Sequence, residues 1–389
     1  MAQLRIPAVY MRGGTSKGVF FHAGDLPADP AARDRILLRV IGSPDPYGKH
    51  IDGMGGATSS TSKVVLIAKS ARADSDVDYL YGAVSIERAV IDWSGNCGNL
   101  TAAVGPFALS EGLLAAPAGA MHVPVRIWQA NIGKRIIAHV PVRDGDVVEE
   151  GGFELDGVTF PAAEIRIEFL DPGGDDGEEG AAGGALFPTG NVTDMLEVPG
   201  AGALEVTLIN AGIPTIFVAA ATLGLRGTEL QPEVNGNAAL LGKLETIRAQ
   251  GAVAMGLAAS AAEATASRPH TPKLCFVAPA QDYVASSGKP VAAAGIALLA
   301  RIMSMGKLHH AMTGTGAVAL AVAGAIPGTL VARAARPGTP ATSLTMGHAS
   351  GILTVGAEAG TQNGEWIVTK AIMSRSARRL MEGWVRVPA

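Results

Sequence analysis

Three segments of this sequence recur in the same order in its second half. Each pair shares a pattern of apolar runs and small-residue turns, and the pairs are 9–21 with 208–218, 61–70 with 271–280, and 96–114 with 312–331. An ordered internal repeat is the signature of a duplicated structural unit. We therefore predict two similar domains, 1–185 and 186–389, with a C-terminal segment that is free to return to the first domain.

The third pair of segments predicts a central helix in each domain. The stretches from Gly98 to Leu114 and from Gly314 to Ile326 read as apolar on every face. Such helices lie in a membrane or in the middle of a core, and these are too short to span a bilayer. Strand-rich stretches follow at 123–142 and 343–359. The predicted fold class is α+β, with a curled, mostly antiparallel sheet around one buried helix in each domain.

The composition supports a globular protein and excludes several kinds of partner. Hydrophobic residues make up 48% of the chain and charged residues 17%, which suffices for substantial cores. A net charge of −4 gives no reason to expect a nucleic-acid or membrane partner. The N-terminus lacks a signal-peptide pattern, and two cysteines in 389 residues fit a reducing cytoplasm. The acidic, glycine-rich stretch 171–185 is predicted to be a solvated surface loop.

No metal site and no cofactor are predicted. The two cysteines cannot form a zinc site alone, and the side chains of the adjacent His309 and His310 are expected to diverge. The segment GGTSKG at 13–18 has the wrong residue order for a nucleotide-binding P-loop.

Cys97 is the strongest candidate for a catalytic group, because it stands where the first central helix begins. The start of a helix has unpaired N–H groups and the positive end of the helix dipole, which favour a thiolate over a thiol. The neighbours Asn96, Gly98 and Asn99 allow a carboxylate to reach these amides. A thiolate can exchange protons near neutral pH. Cys275, inside an apolar run, is interpreted as a packing residue.

Lys63 is the expected partner of Cys97, either as a protonated lysine or, if desolvated, as a base. It follows the hydroxyl-rich loop GGATSSTS, in which Ser60 and Ser62 are suited to orienting carboxylates. The alternative is a solvated lysine at a strand edge. Lys273 is a weaker candidate, since only its position in the repeat recommends it.

Two further loops and the second central helix contain residue types that bind anions. The segment GGTSKG is predicted to bind an anion, and the alternative is that it forms only a tight turn. The same two possibilities apply to ASSGK at 285–289, for which contact with a carboxylate is predicted. The predicted substrate-binding residues in these places are Thr15, Ser16, Lys17, Ser286, Ser287, Lys289, His310, Thr313, Gly314 and Thr315.

Several long segments resemble the PrpF family of 2-methylaconitate isomerases. They are MRGGTSKGVFF, VIGSPDPYGKHIDGMGGATSSTSK, DWSGNCGNLTAAVG, RIWQANIGK, NAGIPTIFV, MGKLHHAMTGTGA and KAIMSRSARRLMEGWVRVP. The resemblance runs from about residue 5 to the C-terminus. It implies the fold of diaminopimelate epimerase, in which two pseudo-equivalent domains have an active site in the cleft between them.

The resemblance also implies a cofactor-independent reaction, the conversion of 2-methyl-trans-aconitate to 2-methyl-cis-aconitate in the methylcitrate route of propionate breakdown. Lys63 and Cys97 are the implied catalytic pair, and either can be the initial base. In the epimerases the second central helix also begins with a cysteine. This chain has Thr313 there, whose hydroxyl is too weak an acid to replace a thiol.

Three alternative functions remain open at this point: a 4-oxalomesaconate tautomerase or related tricarboxylate isomerase, an amino-acid epimerase, and a non-catalytic carboxylate-binding protein. Family resemblance in SPDPYGK, DWSGNCGNLTAA and MGKLHHAM favours methylaconitate. Thr313 counts against the epimerase, and Cys97 with Lys63 counts against a non-catalytic protein. The expected partner is a small tricarboxylate substrate, the expected location is the cytoplasm, and the chain is compatible with a homo-oligomer.

Overall fold

The computed structural model describes residues 3–173, 185–340 and 342–388. The chain divides into two compact units, Met1–Ile167 with Ser374–Ala389, and Glu168–Met373. The boundary between the units therefore follows Ile167, whereas the sequence predicted a domain boundary after residue 185. The C-terminal segment belongs to the first unit. Residues 174–184 of the predicted acidic loop lie outside the described residues.

The first unit is built mainly from strands, with two longer helices. Its elements before the second unit are β1 Leu4–Gly13, β2 Ser16–His22, α1 Pro30–Ile41, β3 Lys63–Lys69, β4 Val77–Val84, β5 Ile91–Asp92, α2 Gly98–Ser110, β6 His122–Gln129, β7 Lys134–Arg143 and β8 Asp146–Val147. A short 3-10 helix covers Ala23–Asp25. The strand β9, Ile165–Leu170, leads into the second unit.

The second unit has the same kind of composition and more helices. Its elements are β10 Asp194–Val198, β11 Gly202–Ala211, β12 Ile213–Ala219, α3 Gln231–Asn235, α4 Ala238–Ala254, α5 Ala261–Ser267, β13 Lys273–Pro279, β14 Tyr283–Val284, β15 Pro290–Val291, β16 Leu298–Ser304, β17 Lys307–Leu308, α6 Gly314–Ala325, α7 Leu330–Ala334, β18 Leu344–His348 and β19 Gly351–Gln362. Short 3-10 helices cover Ala220–Leu223 and Ala293–Gly295. The strand β20, Glu365–Arg375, returns the chain to the first unit, which ends with β21, Ala377–Val387.

The strands pair in the same order in both units. In the first, β1 is antiparallel to β2, β2 parallel to β3, β3 antiparallel to β4, β4 parallel to β6, and β6 antiparallel to β7. In the second, β11, β12, β13, β16, β18 and β19 repeat this alternation. Parallel neighbours need a crossover. In each unit one crossover contains the central helix, α2 or α6.

Each central helix is buried by its own sheet. The helix α2 packs against β1, β2, β6, β7 and β21, and its residues from Gly98 to Ala108 are all buried. Small residues allow this approach, since a Cβ on Gly105 would lie 2.5 Å from Cγ2 of Val140. The helix α6 packs against β11, β12 and β19 and is buried from Gly314 to Ala323. These contacts confirm the predicted α+β fold of sheets curled around buried helices.

The first central helix is shorter than the sequence suggested. It ends at Ser110 instead of Leu114, because Gly112 turns the chain with a φ of +72°. The N–H of Leu113 then returns to the carbonyl of Ala108 at 2.9 Å, which closes the helix end.

The outer face of each sheet is covered by a helix that the sequence analysis did not anticipate. On α1, Leu37, Val40 and Ile41 join a core with strand residues such as Val64. The helix α4 has the same role in the second unit. Within the described residues, no helix combines the length and apolarity needed to cross a membrane.

Candidate active site

The start of α2 presents the Cys97 thiol without using it to cap the helix. Cys97 is the N-cap residue, with φ −120° and ψ 91°, and its side chain makes no capping hydrogen bond. Its carbonyl instead accepts hydrogen bonds from N and Oγ1 of Thr101, each at 3.0 Å, and from Oη of Tyr79 at 3.3 Å. The backbone of Cys97 is thus held firmly while the sulfur stays available for other partners.

Lys63 lies beside this thiol. It is the first residue of β3, its side chain is buried, and its Nζ donates a hydrogen bond to Oη of Tyr81 at 2.6 Å. The side chain of Cys97 is its electrostatic partner. Burial lowers the pKa of Lys63, while the interaction with Cys97 acts in the opposite direction. The structure therefore brings the two predicted catalytic residues together.

Two tyrosines of β4 belong to the same cluster and were missed in the sequence. Tyr79 and Tyr81 are two positions apart on one strand, so their side chains project to the same face, and both are fully buried. Burial raises the pKa of each phenol, and the charge of Cys97 raises it further. The two tyrosines in YLY, two positions apart, indicate side chains on one face of a strand. This spacing does not indicate that they contact Lys63 or Cys97.

A third missed residue, Arg375, is linked to the start of α2 through Asn99. The Nε of Arg375 donates to Oδ1 of Asn99 at 2.9 Å, and Nδ2 of Asn99 donates to Oγ1 of Thr15 at 3.0 Å. Burial lowers the pKa of Arg375 to about 10, although the charge of Cys97 opposes the shift. The predicted residues Thr15 and Asn99 therefore lie together, with a buried guanidinium behind them.

The remaining predicted residues of the β1–β2 turn contact the hydroxyl-rich loop. Ser16 is buried at the start of β2, and the backbone N–H of Lys17 donates to the carbonyl of Ser60 at 3.0 Å. The Nζ of Lys17 lies 5.3 Å from the centroid of the Tyr10 ring. The hydroxyl of Ser60 is hydrogen-bonded to that of Thr58 at 3.0 Å.

Ser62 is occupied by the loop that precedes β3. Its Oγ is 3.3 Å from Nδ1 of the buried His50. The loop is held at Asp45, whose carboxylate accepts backbone hydrogen bonds from Tyr47, Lys49 and His50. These bonds, that from Lys49 most, lower the pKa of Asp45. Ser62 thus helps to fix the loop beside Lys63.

In the second unit, Thr313 occupies the N-cap position that corresponds to Cys97. Its hydroxyl accepts a hydrogen bond from the backbone N–H of Gly316 at 3.2 Å, and Gly314 and Thr315 are buried in the first turn of α6. The equivalent positions therefore differ in use, because Thr313 caps its helix and Cys97 does not.

The other predicted residues of the second unit form one connected group and one exposed turn. The hydroxyl of Ser286 is 3.3 Å from that of Ser350, which donates to the carbonyl of His310 at 2.5 Å. Ser287 and Lys289 lie in the exposed turn between β14 and β15, where N of Lys289 donates to Oγ of Ser287 at 3.4 Å. Ser350 was missed because nothing in its local sequence distinguished it.

The expectation that His309 and His310 diverge is wrong. Their rings are stacked, with centroids 4.7 Å apart and an angle of 27° between the planes. The two residues follow the end of β17, where the chain is not an extended strand that would turn neighbouring side chains to opposite faces. Among the described residues, no group of three or more His, Cys, Asp or Glu side chains could hold a metal ion.

The fold and the relatives together define a class of protein, an isomerase with the diaminopimelate epimerase-like fold. A hydroxyproline epimerase from Agrobacterium vitis has this fold, with 14% sequence identity, a TM-score of 0.54, and coverage of 99% of this chain and 93% of that one. The crystal structure of a methylitaconate Δ-isomerase is more similar, with 40% identity, a TM-score of 0.76, and coverage of 100% and 96%.

The chain belongs to the PrpF protein family, which matches residues 3–388. It is 62% identical to the 2-methyl-aconitate isomerase of Shewanella oneidensis, over 99% of this chain and 98% of that one. These comparisons confirm the predicted family, the predicted fold class and the predicted class of enzyme, an isomerase.

Proposed function

We propose that this isomerase converts 2-methyl-trans-aconitate to 2-methyl-cis-aconitate. The observation that carries the proposal is the buried Lys63, which interacts electrostatically with Cys97 at the start of a central helix. The activity named for the Shewanella oneidensis relative supports this choice of substrate. The reaction belongs, on this proposal, to propionate breakdown in a reducing cytoplasm.

The proposed reaction is a proton transfer at carbon. A base removes a proton from the substrate CH2 beside the conjugated carboxylates, and the electron pair delocalises into that system. The former double bond then rotates, and a returned proton fixes the other isomer. Burial lowers the pKa of Lys63, so its neutral amine is available at a lower pH than that of a solvated lysine. A thiolate on Cys97 is the other available base.

The start of α2 stabilises the negative charge that develops on the substrate in this reaction. The positive end of the helix dipole at Gly98 and Asn99 stabilises an anion that is more delocalised in the transition state. Arg375 adds a buried positive charge behind Asn99. Thr15 and Ser16, at the same end of the helix, are the proposed carboxylate contacts of this unit. The second-unit contacts remain predictions from the sequence.

An activity panel tests the substrate assignment. The purified full chain is assayed with 2-methylaconitate isomers, aconitate and 4-oxalomesaconate, without added cofactor. We expect the highest kcat/KM for 2-methyl-trans-aconitate, with exchange of its CH2 hydrogens for solvent deuterium. A higher kcat/KM for 4-oxalomesaconate would assign the chain to the tautomerases instead.

Three single variants test the proposed catalytic pair. Cys97→Ala is expected to abolish turnover and Lys63→Ala to lower kcat by at least about a hundredfold, as for a lost acid–base group. The matched control is Cys275→Ala, because Cys275 is a buried thiol in β13 whose pKa is raised by burial. Near-normal turnover by Cys97→Ala, with an unchanged melting temperature, would show that Cys97 is not required for catalysis.

A further inference from the structure

The turn between β6 and β7 is bound to β4 at both of the buried tyrosines. The N–H of Ala130 donates to the carbonyl of Tyr79 at 2.9 Å. The Oδ1 of Asn131 accepts the N–H of Tyr81 at 2.8 Å, and its Nδ2 donates to the carbonyl of Tyr81 at 2.9 Å. The Oη of Tyr81 accepts the hydrogen bond of Lys63 Nζ at 2.6 Å. Asn131 therefore holds the strand position from which the phenol reaches Lys63.

The side chain of Asn131 fills a gap in the sheet. The parallel pairing of β4 with β6 ends at Tyr79, and its antiparallel pairing with β5 begins at Ala83. Tyr81 lies between the two pairings, where its N–H and C=O bond the Asn131 amide. A carboxamide has the donor and the acceptor of a peptide group. It therefore takes the place of a neighbouring strand at this one residue.

Asn131 also bonds the segment that leads from β5 to α2. Its Nδ2 donates to the carbonyl of Trp93 at 2.7 Å. The indole of Trp93 is fixed on α1, because its Nε1 donates to Oδ2 of Asp34 at 3.0 Å and Cζ of Arg33 lies 4.4 Å from the ring centroid. The amide of Asn131 thus joins Tyr81 to a firmly held point of this segment.

The hydrogen bonds determine the orientation of the Asn131 amide and use it completely. The N–H of Ile132 donates to Oε1 of Gln129 at 3.0 Å, so that Nε2 of Gln129 is the donor to Oδ1 of Asn131 at 2.5 Å. Within the Asn131 amide, Oδ1 thus accepts two bonds and Nδ2 donates two. This is the full capacity of a carboxamide. The side chain therefore holds protein groups in place and does not contact substrate.

The second unit satisfies the equivalent strand position without an asparagine. In β16, Ile302 has the position that Tyr81 has in β4, since each lies opposite the third residue of a strand that begins with a lysine. The carbonyl of Ile302 accepts the backbone N–H of His309 at 2.9 Å. The fold can thus satisfy this carbonyl with backbone alone. The asparagine is found in the unit that contains Lys63 and Cys97, which points to a role in their chemistry.

We propose that Asn131 is a positioning residue that holds Tyr81 in a fixed place relative to the segment leading to Cys97. The hydrogen-bond partner of Lys63 is on one side of the amide, and Trp93, which precedes the proposed catalytic thiol by four residues, is on the other. The amine and the thiol therefore keep the separation that proton transfer at one substrate carbon requires. This role rests on the proposed function of the same site.

Asn131→Ala removes the four hydrogen bonds of the amide and leaves the turn backbone in place. We expect kcat to fall about 10- to 100-fold, because small displacements of catalytic groups have effects of this size. KM should change by less than about threefold, since the amide has no donor or acceptor left for substrate. The matched control is Asn237→Ala, which removes the asparagine whose Oδ1 accepts the N–H of Leu240 at 3.0 Å at the start of α4. Its kcat should match that of the natural chain.

A titration without substrate tests the positioning apart from the function. Lysines carrying 13C at Cε are followed by NMR against pH, and the Lys63 signal is assigned by its loss in Lys63→Met. The hydrogen bond to the Tyr81 phenol stabilises the ammonium form. The midpoint of Lys63 should therefore be lower in Asn131→Ala and in Tyr81→Phe than in the natural chain. In the double variant it should be no lower than in Tyr81→Phe alone, because Asn131 is expected to act through the phenol.

The Lys63 midpoint decides whether Asn131 positions the amine. A midpoint that is the same in Asn131→Ala and the natural chain, with cooperative melting of both, overturns the proposed role. A further fall in the double variant also overturns it, because the effect would then not pass through Tyr81. If Asn131→Ala does not melt cooperatively, Asn131→Ser takes its place with the same expected results.

The kinetic outcomes are separate from those of the titration. A kcat of Asn131→Ala within about threefold of that of the natural chain overturns the role in catalysis. An equal loss of kcat in Asn237→Ala overturns it as well, because the effect would then follow from a general loosening of the chain. Failure of the natural chain to isomerise 2-methylaconitate rejects the proposed function, while the titration still decides the positioning of Lys63.

Discussion

Arg375 donates a hydrogen bond from its Nε to Oδ1 of Asn99 at 2.9 Å, although 276 positions separate the two residues in sequence. Asn99 in turn donates to Thr15 at 3.0 Å. One amide side chain thus joins the β1–β2 turn, the start of α2 and the C-terminal segment. The proposed catalytic end of the helix is assembled from three distant parts of the chain.

Replacing Arg375 should weaken catalysis. In Arg375→Met, Oδ1 of Asn99 loses a charged donor, and the start of α2 loses a buried positive charge. A hydrogen bond to a charged group contributes about 1.5–3 kcal/mol, so kcat/KM should fall about 10- to 100-fold. Steady-state kinetics measures the loss. Arg386→Met, which removes an exposed arginine of β21, is the control and should match the natural chain. Equal kinetics for both variants would contradict this role.

Lys63 should make the protein less stable at neutral pH than a neutral side chain would. Burial lowers its folded pKa below the value of 10.5 that it has in the unfolded chain. The unfolded state therefore binds the proton more readily, and stability rises with pH between the two pKa values. Lys63→Met should be more stable than the natural chain at neutral pH, with a difference that shrinks as the pH approaches 10.5.

Urea denaturation across this pH range measures the effect. The matched control is Lys69→Met, because Lys69 is the exposed lysine at the other end of β3. The stability difference of this variant is the baseline with which that of Lys63→Met is compared. A pH-independent difference for Lys63→Met would mean that the lysine is not desolvated in the folded protein.

Gly14→Ala should destabilise the turn beside the helix. Gly14 has a φ of +51°, and a Cβ there would lie 2.4 Å from Oδ1 of Asn99 and 3.0 Å from Cδ of Arg375. The left-handed backbone alone costs an L-residue about 1–2 kcal/mol. Thermal and urea denaturation should show at least this loss, together with lower kcat/KM. The control, Gly24→Ala, meets no atom within 4 Å and should change stability by less than about 0.5 kcal/mol.

Thr313 should contribute to stability through its capping hydrogen bond. Thr313→Ala removes the acceptor for the N–H of Gly316 and should cost about 0.5–2 kcal/mol. Thr313→Ser keeps an N-cap hydroxyl and should retain most of the stability. Urea denaturation of both variants gives the comparison. If the alanine variant is as stable as the serine variant, the cap does not contribute.

Much of the architecture could be predicted because it rests on local patterns. The repeated apolar runs became β1–β2 with β11–β12, β3 with β13, and α2 with α6. The charged residues Arg375 and Arg301 are among the largest fully buried side chains, and no periodicity in the sequence indicates a buried arginine. The helices α1 and α4 were also not anticipated, because neither of them lies in the repeated segments.

The sequence by itself determined the duplication, the two buried central helices, and the choice of Cys97 and Lys63 as candidate groups. These follow from periodicity, helix-end chemistry and family resemblance, all of which are readable along the chain. Only the tertiary structure decided which groups meet them. Tyr81 reaches Lys63 through the register of β3 and β4, and Arg375 reaches Asn99 through the pairing of β1 with β21 beside it. Alternation along a strand fixes the face of a side chain, but its partner depends on contacts made by distant parts of the chain.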